Sequence, residues 1–265
     1  MIQNLNISIV QTSLHWHDKD ANLAGIDNIV KGISTETDII VLPEMFTTGF
    51  TMHVPAQASA FHDDMDALAA MRKWARITGA VVTGSVAVSD HGKCYNRLLW
   101  VRPDGSVGTY DKRHLFRMAG ENNHYTAGTR KIVEEWKGWR ICPLICYDLR
   151  FPVWSRNRWM GNHHEYDVLI YVANWPSVRR HPWRALLTAR AMENQCYLAG
   201  VNRTGTDGNG HEYSGDSMIL SPRGEILADP LDKEGVFQAS LSWEELADFR
   251  LKFPVIDDAD DFELK

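Results

Sequence analysis

Three short segments in this chain, two of them unbroken apolar runs, each stop on a residue with chemistry to offer. Ile39-Ile40-Val41-Leu42-Pro43 ends at Glu44, the segment Ser106 to Asp111 at Lys112, and Ile141 to Ile145 at Cys146. Continuous apolar runs of this length, bounded by turn signals, suit strands buried within a sheet. They alternate with segments of helical spacing. In Asp18 to Ser34 the apolar residues are Leu23, Ile26, Ile29, Val30 and Ile33, and Met65 to Ile77 is a second amphipathic stretch. One-sided helices and buried strands must cover each other, which restricts the chain to layered α/β arrangements.

The remaining segments extend the pattern. Leu5 to Thr12, Ala80 to Val88, Asp167 to Asn174 and Cys196 to Val201 are expected strands, and Trp183 to Asn194 and Trp243 to Phe249 expected helices. A short helix is expected after Pro152. Hairpin signals join Tyr95 to Arg102 with Ser106 to Tyr110 through Pro103-Asp104-Gly105, and Lys131 to Trp136 with Trp139 to Ile145 through Lys137-Gly138. Met218 to Leu220, Glu225 to Leu227 and Val236 to Leu241 complete the expected strands, and the acidic tail Asp257 to Glu263 is expected to be exposed. Hairpins mixed with strand–helix alternation point to two sheets packed face to face with helices covering the outer faces. No linker-like composition shift or repeat interrupts the chain, so residues 1–265 are expected to form one domain. Pro143 lies inside an expected strand and lacks a ladder donor, which predicts a bulge or an unpaired edge there.

The chain has 265 residues, enough for a substantial core, with 44% apolar and 23% charged residues. Its net charge of −6 offers no basic stripe for nucleic acid. Met1 to Val10 lacks a cationic region followed by a long apolar stretch, and no segment approaches the ~20 apolar residues of a membrane span. A cytoplasmic location is expected. Cys94, Cys142, Cys146 and Cys196 lack disulfide or zinc spacing. Along a strand Cys142 and Cys146 would be about 13 Å apart, beyond the ~7 Å limit for a bridge. Free thiols in a reducing compartment are expected.

Thiolates are strong nucleophiles, but a free thiol at neutral pH is mostly protonated and needs a base or a positive field. By residue type alone Cys146 could equally be a small buried hydrophobe. Its place at the carboxyl end of a strand, with Asp148 and Arg150 following, favours a site. Glu44 has the same position, stiffened by Pro43 and flanked by Met45 and Phe46, and suits a general base that later acts as an acid. Lys112 lies between aromatic neighbours in Tyr110-Asp111-Lys112-Arg113-His114-Leu115-Phe116, where a fixed ammonium could stabilise an oxyanion.

Together, Leu42-Pro43-Glu44, the lysine segment and Ile145-Cys146-Tyr147-Asp148-Leu149-Arg150-Phe151-Pro152 resemble the carbon–nitrogen hydrolase (nitrilase) superfamily in order and spacing. Ala189 to Gln195, Gly215-Asp216-Ser217 and Pro222 to Ile226 resemble its later segments. The resemblance implies a four-layer α-β-β-α sandwich with two mixed sheets, and a Glu–Lys–Cys centre of Glu44, Lys112 and Cys146. A second glutamate is implied at Glu121, in Gly120 to Gly128, and an oxyanion donor at the backbone N–H of Tyr147. The chain is most similar to the omega-amidase branch, which hydrolyses the terminal amide of 2-oxoglutaramate or 2-oxosuccinamate through a cysteine thioester, with no metal or organic cofactor. Such a small-molecule substrate calls for a cation and aromatic walls. Arg113, Arg150 and Arg184 are the candidate cations, and Phe46, Tyr147 and Trp175 the candidate walls. The family implies a homodimer or larger assembly, with Phe249, Phe253 and Phe262 as candidate contacts.

Three other readings compete. Another amide or N-carbamoyl substrate, including deaminated glutathione, would use the same fold. A scaffold on a disabled hydrolase would have no need of the intact trio. His15-Trp16-His17, His163-His164 and His181 raise a metal site, but none has a known ligand spacing.

Overall fold

The computed structural model describes residues 2–34, 36–62, 65–260 and 262–264. In chain order its strands are β1 (Leu5–Gln11), β2 (Ile39–Val41), β3 (Ser59–Ala60), β4 (Val81–Asp90), β5 (Lys93–Val101), β6 (Val107–Asp111), β7 (Glu134–Trp136) and β8 (Trp139–Ile145). They continue with β9 (Val168–Ala173), β10 (Tyr197–Asn202), β11 (Thr204–Thr206), β12 (Glu212–Ser214), β13 (Ser217–Leu220), β14 (Ile226–Leu231) and β15 (Gly235–Leu241). The helices are α1 (Lys19–Lys31), α2 (Val54–Gln57), α3 (Asp66–Thr78), α4 (Pro152–Ser155), α5 (Arg180–Glu193) and α6 (Trp243–Lys252).

One sheet has the order β15-β1-β2-β4-β5-β6, with β3 also pairing β4; the other has the order β14-β13-β10-β9-β8-β7. Both are mixed. β1, β2 and β4 run parallel while β4, β5 and β6 form antiparallel hairpins, and β8, β9 and β10 run parallel beside antiparallel β13.

The period of two along each strand divides the core between its faces. Ile39 and Val41, Val81, Leu98 and Trp100 point to the other sheet, joining Ile141, Val168, Ile170 and Val172. Their neighbours Ile40, Leu42, Val82, Leu99 and Val101 point outward and pack with Ile26 and Val30 of α1 and Met71, Trp74 and Ala75 of α3. On the opposite side Trp183, Leu187 and Ala191 of α5 join the core of the second sheet. Gly200 of β10 admits that helix: a Cβ there would lie 2.5 Å from Leu187 Cδ1. The expected sandwich of two facing sheets with outer helices is the observed one.

Helix ends follow local chemistry. Asp18 caps α1 by accepting from Ala21 N–H at 3.0 Å, and Gly79 ends α3 in the left-handed conformation. Pro143 finds the predicted open edge. β7 covers β8 only as far as Ile141, and the Ile145 N–H, facing the same way as the Pro143 nitrogen, donates to the Asp148 side chain instead of a strand. Beyond expectation, α5 begins at Arg180, and the hairpin β11–β12 carries a loop, 207–211, back towards the strand ends. Among the described residues no helix is long and apolar enough to cross a membrane.

Candidate active site

Glu44 follows β2, Lys112 follows β6 and Cys146 follows β8, so the two sheets deliver all three to the same end of the sandwich. Lys112 Nζ lies 2.8 Å from Glu44 Oε1 and 3.1 and 3.0 Å from the two carboxylate oxygens of Glu121. All three side chains are fully buried. Glu121 is anchored by the Phe116 N–H, which donates to its Oε2 at 2.5 Å. Glu44 is held from the second sheet, where Asn174 N–H donates to its Oε2 at 2.8 Å. The Asn96 amide donates to Oε1 of Glu44 at 2.7 Å and to Oε1 of Glu121 at 3.3 Å.

Two carboxylates surround one ammonium away from water, and this sets the electrostatics. Burial opposes the Lys112 charge, but Glu121 and Glu44 outweigh it and hold its pKa above the ordinary lysine range. Burial pushes the Glu121 carboxyl up, Lys112 pulls it down and Glu44 pushes it up again, leaving it raised. Burial also pushes the Cys146 thiol well up, reinforced by the Glu44 charge and a hydrogen bond to that carboxylate; Lys112 acts the other way without prevailing. Cys146 therefore rests as a thiol whose proton has an adjacent acceptor.

The nucleophile's backbone is itself unusual. Cys146 has φ of 44°, a left-handed conformation rare outside glycine, and opens a 3-10 turn over Cys146–Arg150. The Tyr147 N–H comes next, at a position where such a turn offers no internal acceptor. Asp148 ties the turn to the lysine segment. Buried, it accepts from Tyr110 O–H at 2.7 Å, His114 N–H at 3.0 Å and Ile145 N–H at 3.1 Å. The neighbours of Cys146 and of Lys112 thus share one carboxylate.

Cys146, 8% exposed, opens with Lys112 onto a cavity of about 750 Å³. Its walls include Phe50, Phe116, Tyr147, Trp175 and Tyr213, and its polar lining Arg150, Arg179, His53, Asp207 and His211. The Arg150 guanidinium lies over the Trp175 ring at 5.0 Å, and that of Arg179 over Phe116 at 5.4 Å. Among the described residues neither guanidinium has a carboxylate partner.

Three expected lining residues lie elsewhere. Met45, with φ of 44°, reverses the chain after Glu44, and Phe46 turns into the core against Trp74, ring centroids 6.3 Å apart. Arg113, at the bend that follows Lys112, turns away from the cavity; it donates to Gly128 O at 3.1 Å and lies over Trp154. Arg184 points from α5 to Asp229, with its two nitrogens 2.8 and 2.6 Å from the carboxylate, and contacts Asp216. Arg150, Tyr147 and Trp175 do line the cavity, where they are joined by Arg179 and the 207–213 segment, which carried no sequence signal. Asn96 was legible only as a polar residue in a buried strand. Among the described residues no three His, Cys, Asp or Glu side chains gather in a metal-binding group.

The chain belongs to the carbon–nitrogen hydrolase family, whose model matches residues 6–251, and it is a hydrolase of carbon–nitrogen bonds. It is 49% identical over 261 residues to the omega-amidase YafV of Escherichia coli strain K12, covering 98% of each chain. It is 34% identical over 254 residues to the 2-oxoglutaramate amidase of Bacillus subtilis strain 168, covering 95% of this chain and 96% of that protein. Its fold matches a CN-hydrolase superfamily protein of Xanthomonas campestris, solved with an arsenic adduct in the active site, at a TM-score of 0.95, 41% identity and 99% of both chains.

Proposed function

We propose that this chain is an omega-amidase, hydrolysing the terminal amide of a short 2-oxo dicarboxylic acid monoamide to the acid and ammonia. One observation carries the reading. The buried Glu44–Lys112–Glu121 cluster adjoins a cavity-facing thiol, and the same cavity presents guanidinium groups that have no carboxylate partner among the described residues. An amide bearing its own carboxylate at the far end supplies what those cations lack.

The chemistry follows from the proton positions. Cys146 Sγ attacks the amide carbon as its proton passes to Glu44. The developing oxyanion is met by the Lys112 ammonium and the Tyr147 N–H. The tetrahedral centre collapses, the C–N bond breaks, and Glu44 returns the proton to nitrogen so that ammonia leaves and a thioester remains. Water then attacks the thioester carbon while Glu44 takes its proton. Sulfur departs, is reprotonated by Glu44, and the acid is released. Glu121 positions Lys112. Arg150 is the candidate for the substrate carboxylate, with Tyr147 and Trp175 as walls. No step requires a metal or organic cofactor.

An ammonia-release screen over 2-oxoglutaramate, 2-oxosuccinamate, glutamine, asparagine, N-carbamoyl amino acids and nitriles tests this. The 2-oxo acid amides should give the highest kcat/KM; preference for carbamoyl compounds would overturn the substrate while leaving the fold untouched.

We further read residues 1–265 as one cytoplasmic domain that assembles as a homodimer or larger oligomer. The shared inter-sheet core supports the first, the four free thiols the compartment, and exposed Met192, Leu251 and Phe253 around α5 and α6 the assembly.

A further inference from the structure

Asn96 occupies a central place in the site. Its side chain is fully buried on β5, and its amide nitrogen reaches Glu44 Oε1 at 2.7 Å and Glu121 Oε1 at 3.3 Å. Its main-chain carbonyl accepts the Lys112 N–H at 3.0 Å. One residue thus touches all three members of the buried charge cluster. The orientation of the amide is settled by chemistry: turning it over would set its oxygen against two carboxylates. Each of its two N–H bonds serves one carboxylate.

Its oxygen tells against a purely structural role. Asn96 Oδ1 is buried and has no hydrogen-bond donor among the described residues. Buried polar atoms are nearly always satisfied, and an orphaned one in a native core calls for a reason beyond stability. Elsewhere β5 carries Leu98, Leu99 and Trp100 in full burial, so an apolar residue would suit the strand better. What an apolar residue could not do is donate to two like charges that share one ammonium.

We propose that Asn96 is a positioning residue for catalysis, whose amide bridges Glu44 and Glu121 and keeps the Glu44 carboxylate aimed as the proton acceptor of Cys146. The inference rests on the reading of Glu44 as base but not on the identity of the amide. A donor to a carboxylate favours its charged form. Without the bridge, the two carboxylates lose a shared donor and Glu44 loses a fixed rotamer. Attack by Cys146 then slows most on the acid side of the pH range.

The test needs no amide substrate. The rate of Cys146 alkylation by iodoacetamide is measured against pH for the wild type, Asn96→Ala and Asn96→Leu, the last preserving volume, with folding checked by circular dichroism. In the wild type the rate should fall on an acid limb. In both variants that limb should move upward by about one pH unit, a roughly tenfold loss at pH values below it. With the preferred amide, kcat should fall and KM change by less than about threefold, since the bridge touches no substrate atom. A lower rate with an unmoved limb in Asn96→Leu would reduce Asn96 to a packing residue and overturn the proposal. Absence of an acid limb in the wild type would instead remove Glu44 as the base.

Discussion

Replacing Lys112 by Met tests how far the buried cluster depends on its single cation. Met keeps most of the length of the lysine stem and removes the charge that lies 2.8 Å from Glu44 and 3.0 Å from Glu121. All three side chains are shielded from water, so solvent cannot replace the lost partner. Breaking a buried ion pair from one side costs ~3–5 kcal/mol, and the cost should depend on pH. Burial already holds the Glu121 carboxyl above its ordinary pKa, and Lys112 is what pulls it back down. Without the lysine the folded protein retains at least one proton that the unfolded chain has released. A carboxyl raised in the folded state stabilises fully below its unfolded pKa, and that contribution is lost as pH rises through the folded one. The stability gap between wild type and Lys112→Met should therefore widen from about pH 5.5 to about pH 7.5. One extra proton corresponds to about 1.4 kcal/mol per pH unit, or up to ~2.7 kcal/mol over that span. Urea unfolding at the two pH values, followed by tryptophan fluorescence, measures the gap directly. A gap of equal size at both would mean that the carboxylates are neutralised by something other than Lys112, and the description of the cluster would be wrong.

Cys146→Ala should remain folded with a near-unchanged urea midpoint and lose ammonia release by at least about a thousandfold; normal turnover would exclude Cys146 as nucleophile. Arg150→Gln should raise KM for 2-oxoglutaramate by ~10- to 100-fold, the worth of a hydrogen bond to a charged group, while a neutral amide of similar length changes little. Equal loss on both would remove Arg150 from carboxylate binding. Gly128→Ala would place a Cβ 2.0 Å from the Asp111 carbonyl oxygen, an atom of the backbone that delivers Lys112. It should cost ~1–3 kcal/mol of stability and also lower kcat, because Gly128 N–H donates to Lys112 O; wild-type kcat would show that the lysine's backbone is not held there.

The sandwich was legible because buried strands and one-sided helices leave different periods in sequence. Ile39 and Val41 facing the other sheet, with Ile40 and Leu42 under the helices, is the period of two made visible. Glu44 and Cys146 were legible because each ends an apolar run, and Lys112 because it ends the second strand of a hairpin signal. Phe46, Arg113 and Arg184 were not. Phe46 follows a left-handed Met45, and a non-glycine residue gives no warning that it will take positive φ. Arg184 is on α5 with Trp183 and Leu187 buried, and only the packed helix decides that it meets Asp229 rather than the cavity. Arg179 and the 207–213 lining depend on where a hairpin of two three-residue strands folds back, a long-range outcome without a local pattern. Asn96 lay in plain view within a strand, but nothing in its neighbours foretells that it would meet two carboxylates.

The sheets deliver unequal halves of the machinery: acid and ammonium from one, sulfur and the Asn174 amide from the other. Neither half holds a working centre alone. Turnover therefore reports on the seam between them, and any slippage of one slab against its mate would silence the enzyme while leaving each ladder of strands whole.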